Sequence, residues 1–361
     1  MKAQYNPQII VDDIKYLAES CGLSVELRTD ARDTWAATVL NCSYVPFVYT
    51  NSSIEYQWAY QRGHGGDWKD LSLIINWDKK PAALWPLSLA VKDDNKFINS
   101  HCLPVLPPLF AAACPATSRK RITKSCLDLA HVIAKTAGIQ SWKSAESFSG
   151  QSESGLSEWH DESMRRGAEA VLTHELFVDL SLEIEAIKAR FRKSYKSLIT
   201  SGMRAWQVGV MAETNPELWN EFRELHRKVA GRVTRSAETW ELQRQAIDDG
   251  NALLVFLRND RDDMVGGGFF NITHDEGVYS VAAYERLLFD KPLGHVVQYR
   301  AIEEMKRRGL RWYNIGLRPY SSELPAPTEK EISIGEFKEG FASHLFPQYC
   351  LTHKVGNDDT I

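Results

Sequence analysis

Apolar and polar positions alternate most legibly in the second half of the chain. "AWQVGVMAE" (205–213) has the period-two pattern and β-branched content of a strand. "NPELWNEFRELHRKVAG" then turns to helical spacing. Asn215 is placed to cap, Pro216 takes the first helical position and Gly231 stands just past the end. Leu218, Phe222, Leu225 and Val229 define one buried face. A second helix runs from about Ser236 through Trp240 and Ile247 to Gly250. The period changes again at "NALLVFLR", "MVGGGFFNIT" and "GVYSVAAYE", three short apolar runs joined by "NDRDD" and "HDE". Turns this short and polar join antiparallel neighbours, so these runs form a meander. "LGHVVQYRAIEEMKRRG" returns to helical spacing. Val297, Ala301, Ile302 and Met305 face inward, with Glu303–Arg307 and Glu304–Arg308 pairs on the wet face. A strand "LRWYNIGL", a short helix around Glu336–Phe341 and a strand around "LFPQYCLTH" complete the pattern.

The first half opens with a helix, "PQIIVDDIKYLAESCG". Strands follow near "SVELRTD" and "LSLIINWD", with "KPAALWPLSLAV" as a strand partner, and the helix "KSCLDLAHVIAKTAG" ends at Gly138. A mixed α/β layer is the reading. Residues 144–163, "SAESFSGQSESGLSEWHDES", lack hydrophobic periodicity and form either a long loop or a seam. The boundary is set near 165, giving domains of residues 1–165 and 166–361. No short repeat is visible.

Composition narrows the class. The 361 residues are 43% hydrophobic and 25% charged, an ordinary globular balance of two-domain length. A net charge of −4 gives no global attraction to nucleic acid, which speaks against DNA and leaves a local RNA-binding patch open. The N-terminal stretch lacks the unbroken apolar core of a signal peptide. The best apolar run, "LPVLPPLFAAACPA" (103–116), is too short to span a bilayer and carries four prolines. These features point to the cytoplasm, without membrane insertion. Six cysteines show no paired C-x-x-C spacing and read as free thiols, and no metal site is expected. The "GGG" at 266–268 has no following Gly-Lys-Ser/Thr, so it is a bulge or a close backbone approach rather than a phosphate loop. The basic run "KARFRKSYK" (188–196), with interleaved aromatics, is either a solvated helix face or a contact for RNA or a phosphosugar.

The order strand, helix, helix, three antiparallel strands, helix, strand, helix, strand matches the GNAT acyltransferase core. In "LHRKVAGRVTRSAETWELQRQAI", "AAYERLLFDKPLGHVVQYRAIEEMKRRGLRWYNIGL" and "GEFKEGF" the chain resembles the FemABX-like branch of that superfamily, in which two such cores are fused. The resemblance implies a mixed α/β fold of two GNAT-like domains, each a mostly antiparallel sheet flanked by helices, the first a degenerate copy. It implies transfer of an acyl group to an amine on a sugar, a cell-envelope precursor or a small molecule. One donor is acyl-CoA, acetyl-CoA above all, with a small-molecule or nucleotide-sugar acceptor in polysaccharide or peptidoglycan biosynthesis. A second is aminoacyl-tRNA, extending a peptide on a peptidoglycan precursor. A third reading is a non-catalytic member that binds a phosphosugar or peptide. In tRNA-dependent members a Phe-Lys pair is implicated in holding the donor, and Phe337-Lys338 matches it. CoA-binding GNAT proteins carry a Q/R-x-x-G-x-G/A loop before the central helix. Here "ERLLFDKPLG" has Gly294 alone.

Each candidate residue has a plainer alternative. Lys338 is either a solvated helix lysine or a cation aimed at a donor phosphate, and Phe337 beside it would otherwise be core. His295, at the start of the central helix, and Gln298, one turn in, are further donor-binding candidates. Arg232 and Arg235, in the "GRVTRS" connection, are loop arginines or forks for an acceptor's phosphate or carboxylate. His226 is a core histidine or a proton acceptor, and Glu285 a surface glutamate or the base that deprotonates the attacking ammonium. Tyr313 and Tyr320 are packing residues or acids for the leaving group. Direct attack on the donor is expected, because no cysteine or serine sits in a nucleophile motif.

Overall fold

Antiparallel hairpins with short polar turns dominate both halves of the chain, and helices cover their apolar faces. The computed structural model describes residues 7–92, 95–146, 148, 150 and 156–356. The chain divides into a unit of Met1–Leu172 with Gln348–Ile361 and a unit of Thr173–Pro347. In the first half the elements are α1 (Pro7–Ser20), β1 (Ser24–Leu27), α2 (Arg32–Val39), α3 (Asn51–Arg62), β2 (Asp67–Asp70), β3 (Leu73–Trp77), β4 (Lys80–Trp85), β5 (Ser88–Lys92), β6 (Asn95–Asn99), β7 (Leu109–Phe110), α4 (Ala116–Ala137), β8 (Ser141–Glu146) and α5 (Glu158–Arg165). The second half contains β9 (Glu169–Asp179), α6 (Ile184–Arg190), α7 (Lys193–Ala205), β10 (Gln207–Met211), α8 (Pro216–Ala230), α9 (Ala237–Asp248), β11 (Ala252–Arg258), β12 (Met264–Ile272), β13 (Glu276–Tyr284), α10 (Leu293–Arg307), β14 (Trp312–Leu317), α11 (Glu329–Glu339) and β15 (His344–Lys354).

In the first unit the strands form two antiparallel sheets, β1-β3-β4-β7 and β2-β5-β6. The predicted single strand "KPAALWPLSLAV" is in fact two, β4 and β5, separated at Pro86. Helix α4 ends at Gly138, whose left-handed φ of 72° closes it as the spacing required. Just past β1, Arg28 is fully buried and holds Asp70, at the end of β2, through two hydrogen bonds of 3.0 and 2.7 Å. The final strand returns to this unit, where Tyr349–Lys354 pair antiparallel with Glu146–Ser141. Of the stretch 144–163, residues 147, 149 and 151–155 lie outside the described residues, and the ends belong to β8 and α5.

The second unit is built on the strand order β10-β11-β12-β13-β14-β9. The meander β11-β12-β13 is antiparallel, and β13-β14 is a parallel pair. One face packs on α7, α10 and α11 through Val297, Ile302, Met305, Tyr313 and Phe341. The other packs on α8 and α9 through Trp219, Phe222, Trp240 and Phe269. The buried stripe of α8 is centred on Trp219, Phe222 and Leu225, with Leu218 and Val229 only partly covered. Helix α11 is longer than expected, because Thr328 and Glu331 form a capping box that starts it before Glu336. Glu304 is not on a wet face: it is 4% exposed, pairs with both Arg307 and Arg308, and its carboxyl is held down at about 2 by them, while Glu303 turns to Arg300. In the basic run, Phe191 and Tyr195 point into the core, while its arginines and two of its lysines, Lys193 and Lys196, are exposed.

Candidate functional site

Strands β13 and β14 form a ladder over Glu276–Val278 and Trp312–Asn314, and no pair joins them beyond that point. Two irregularities surround the opening. On β13 the register to β12 shifts so that Ser280 has no partner. On β14 the register to β9 shifts between Asn314 and Gly316. Gly316 sits at φ 115°, where a side chain would be strained and its Cβ would collide with Lys338 Nζ.

The Ser280 bulge has a consequence for side-chain direction. Tyr279 and Tyr284 are five residues apart and would face opposite ways along a regular strand. With one residue bulged out they pair with Phe270 and Gly266, four apart on β12, and so share the α10 face. Their hydroxyls lie 3.2 Å apart. The glycines of the "GGG" run provide the room: a Cβ at Gly266 would meet Tyr284, one at Gly268 would meet Val297 of α10, and one at Gly267 would meet Phe222 of α8. Tyr313 joins the same face and donates a 2.5 Å hydrogen bond to Gln298 Oε1. Gln298 and Tyr313 are both fully buried. Burial raises the phenols of Tyr279, Tyr284 and Tyr313, so all three remain protonated donors at neutral pH.

Lys338 reaches this cluster from α11. Its Nζ lies 5.8 Å from the centre of the Tyr279 ring. It has no ion pair or side-chain hydrogen bond among the described residues, and burial lowers its pKa below the ordinary lysine value. Helix α11 is fixed at both ends, by the capping box and by an aromatic cluster. Arg318 bonds Glu339 at 2.9 Å, and Tyr195 Oη donates to the Phe337 carbonyl at 3.1 Å. Phe337, Phe341, Tyr195 and His295 pack together, some pairs edge-on and some tilted, with centroids 4.5–6.1 Å apart. The Phe337 ring lies against Gly294, in the first turn of α10. His295 is thereby enclosed, and burial together with Arg192 lowers its pKa to about 4. It contributes a neutral ring, not a cation.

A second group lies around an open cleft of about 1040 Å³ bordered by Glu221, Leu225, Lys228, Arg232, Arg261 and Glu285. Arg232 is exposed on it. Glu285 is ion-paired to Lys228, whose hydrogen bond pulls its carboxyl below the ordinary range. His226 accepts from Arg235 at 3.1 Å and meets the Trp240 ring edge-on at 5.2 Å. Burial, then the Arg235 charge, lowers it to about 4. Arg235 also lies 5.5 Å above Trp240. The structure thus gathers Phe337, Lys338, His295, Gln298 and Tyr313 at one place, sets Arg232 and Glu285 on the cleft, and holds His226 and Arg235 against Trp240, outside the cleft's lining. Tyr320 stands apart from both, beneath Arg318 and edge-on to His174. Among the described residues no group of three His, Cys, Asp or Glu is arranged to hold a metal ion. No described helix is long and apolar enough to cross a membrane.

The chain matches no protein-family model and no curated protein. Solved structures do match. FemX superposes with a TM-score of 0.64 at 13% identity, over 90% of this chain and 94% of that one. The chain has a FemABX-like GNAT fold. L-PGS from Bacillus licheniformis matches with a TM-score of 0.54 at 13% identity, over 90% and 91% of the two chains. The C-terminal domain of a putative lysylphosphatidylglycerol synthetase from Agrobacterium fabrum matches at 0.55 and 10% identity, over 92% and 94%. These matches extend over both units, so the first half, legible only in outline from its sequence, shares the fold. At such identities the likeness speaks for the fold and leaves chemistry to the residues.

Proposed function

We propose that the protein is an N-acyltransferase that moves an acyl or aminoacyl group from an activated donor to an amine on a sugar, a cell-envelope precursor or a small molecule. The observation that carries this reading is Lys338: a cation mostly withdrawn from water, without a carboxylate partner among the described residues, at the opening between β13 and β14. A buried charge of that kind is costly unless a ligand supplies the opposite charge. Around it stand three phenolic hydroxyls and a buried amide, donors suited to a polarised carbonyl and a departing oxygen or sulfur. The acceptor amine must arrive neutral, and the Arg232 cleft is where an anionic part of the acceptor would be held. Attack is direct, with no covalent enzyme intermediate.

Both donors fit this chemistry, and one contact favours the second. An acyl-CoA pyrophosphate would need the backbone N–H groups at the first turn of α10, where Phe337 covers Gly294. An aminoacyl-tRNA brings a single ester to the opening and leaves that turn covered. The reading is tested by calorimetry with acetyl-CoA and by filter binding with aminoacyl-tRNA, wild type beside Lys338→Ala. Binding of aminoacyl-tRNA weakened ten-fold or more in the variant, about 1.4 kcal/mol, supports it. Saturable acetyl-CoA binding lost in the variant moves the donor to acyl-CoA. Binding of neither donor overturns acyl transfer itself.

A further inference from the structure

Gln298 is an anomaly in the second unit's core. Its side chain is fully buried, yet Nε2 has no hydrogen-bond partner among the described residues. Oε1 accepts from the Tyr313 hydroxyl, and the Tyr279 hydroxyl stands beside the amide but outside hydrogen-bond geometry with Nε2. Exchanging the two ends of the amide does not remove the problem. Nε2 would then meet one oxygen, that of Tyr313, and one of its two N–H bonds would still lack an acceptor. A buried donor left unmade destabilises a protein, and such groups are rare unless a ligand completes them. The amide projects from α10 where β13 and β14 part, beside Tyr279 and on the sheet face that Lys338 approaches.

Resting on the acyltransfer reading above, we infer that the Gln298 amide is the hydrogen-bond donor to the acyl carbonyl oxygen, a catalytic residue that Tyr313 positions by holding Oε1. In the step, the neutral amine nitrogen attacks the carbonyl carbon and a C–N bond forms. The carbonyl π pair moves to oxygen, whose developing charge the Gln298 N–H stabilises. As the C=O bond re-forms, the C–O bond of an ester (or C–S of a thioester) breaks, and the leaving atom takes the proton lost by the amine. The amide is held before substrate arrives, so it need not reorganise during the step, which is what makes such donors effective.

Hydroxylamine as a small acceptor, with aminoacyl-tRNA or acetyl-CoA as donor, gives a hydroxamate that can be measured directly. Gln298→Met keeps the volume and removes the N–H. The expected result is a fall in kcat of about 10²–10³-fold with the donor's KM unchanged. Tyr313→Phe, which frees the amide to rotate, should lower kcat less and also leave KM in place. Because a single change leaves Tyr313 unpaired, the double variant Gln298→Met/Tyr313→Phe serves as the folding control. It removes both partners, so its melting temperature should equal or exceed wild type while turnover stays low. A double variant that melts well below wild type marks the pair as structural and overturns the inference. So does Gln298→Met with wild-type kcat, or with its whole loss in KM. If wild type itself forms no hydroxamate from either donor, the acyltransfer reading fails and this one with it; failure of Gln298→Met alone leaves that reading intact.

Discussion

His295 shows how an environment can reverse what a residue type suggests. A histidine at a helix N-terminus reads as an anion-binding cation. Enclosed by Tyr195, Phe337 and Phe341 and close to Arg192, its ring is neutral at physiological pH. The sign of the resulting pH dependence follows. Its folded pKa, about 4, lies below the ordinary value of 6.5. The unfolded chain therefore takes up the proton first, and stability is lost as pH falls from about 6.5 towards 4. His295→Phe should flatten that limb, so denaturant melts at pH 7 and pH 5 should differ less than in wild type. An unchanged difference would show that this ring does not titrate on unfolding. The individual candidates were legible in the sequence where spacing alone fixes direction, as for Gln298 on α10. Tyr279 and Tyr284 were not, because a period-two reading sends them to opposite faces. Only the bulge at Ser280 reverses that parity, and nothing in "GVYSVAAYE" marks it.

From β10 onward the elements of the second unit are legible in the sequence, whereas β9, α6 and α7 are not. Asn215 accepts from the Leu218 amide, Ser236 from Thr239, and Gly231 adopts a left-handed φ of 69°, all as the termini of α8 and α9 required. Caps and turns are local, so the sequence displays them. The divergence of β13 from β14 depends on partners far along the chain, and no local signal announces it. Gly316 is the hinge of that divergence. Gly316→Ala would place a side chain at φ 115° and drive it into Lys338 Nζ. The expected cost is about 1–3 kcal/mol of stability, seen as a lower melting temperature, together with weaker donor binding as Lys338 is displaced. Gly309→Ala has a positive φ of 82° with open space around the new Cβ, and is the control for strain without collision. Equal donor affinity in the two variants would separate Lys338 from the donor site.

At the scale of the whole chain, the division found in space is not the division along the sequence. A boundary near 165 follows from composition, but composition cannot reveal that Gln348–Ile361 belongs with the first unit. In that unit Leu351 is fully buried and the His353 ring stacks on Trp142 at 3.8 Å. Ending the chain after Pro347 should therefore destabilise the first unit selectively. Tryptophan fluorescence should show exposure of Trp142 while the Trp219–Trp240 cluster of the second unit keeps its emission and its unfolding midpoint. Loss of both transitions together would show that the second unit's core, complete within Thr173–Pro347, cannot stand without its neighbour. The same return of the chain sets an order of events on the ribosome. Synthesis runs from the N-terminus at about 5–20 residues per second, so the unit encoded second has all its residues first. The unit encoded first must wait, with β8 lacking its partner strand, until Tyr349–Lys354 have left the exit tunnel.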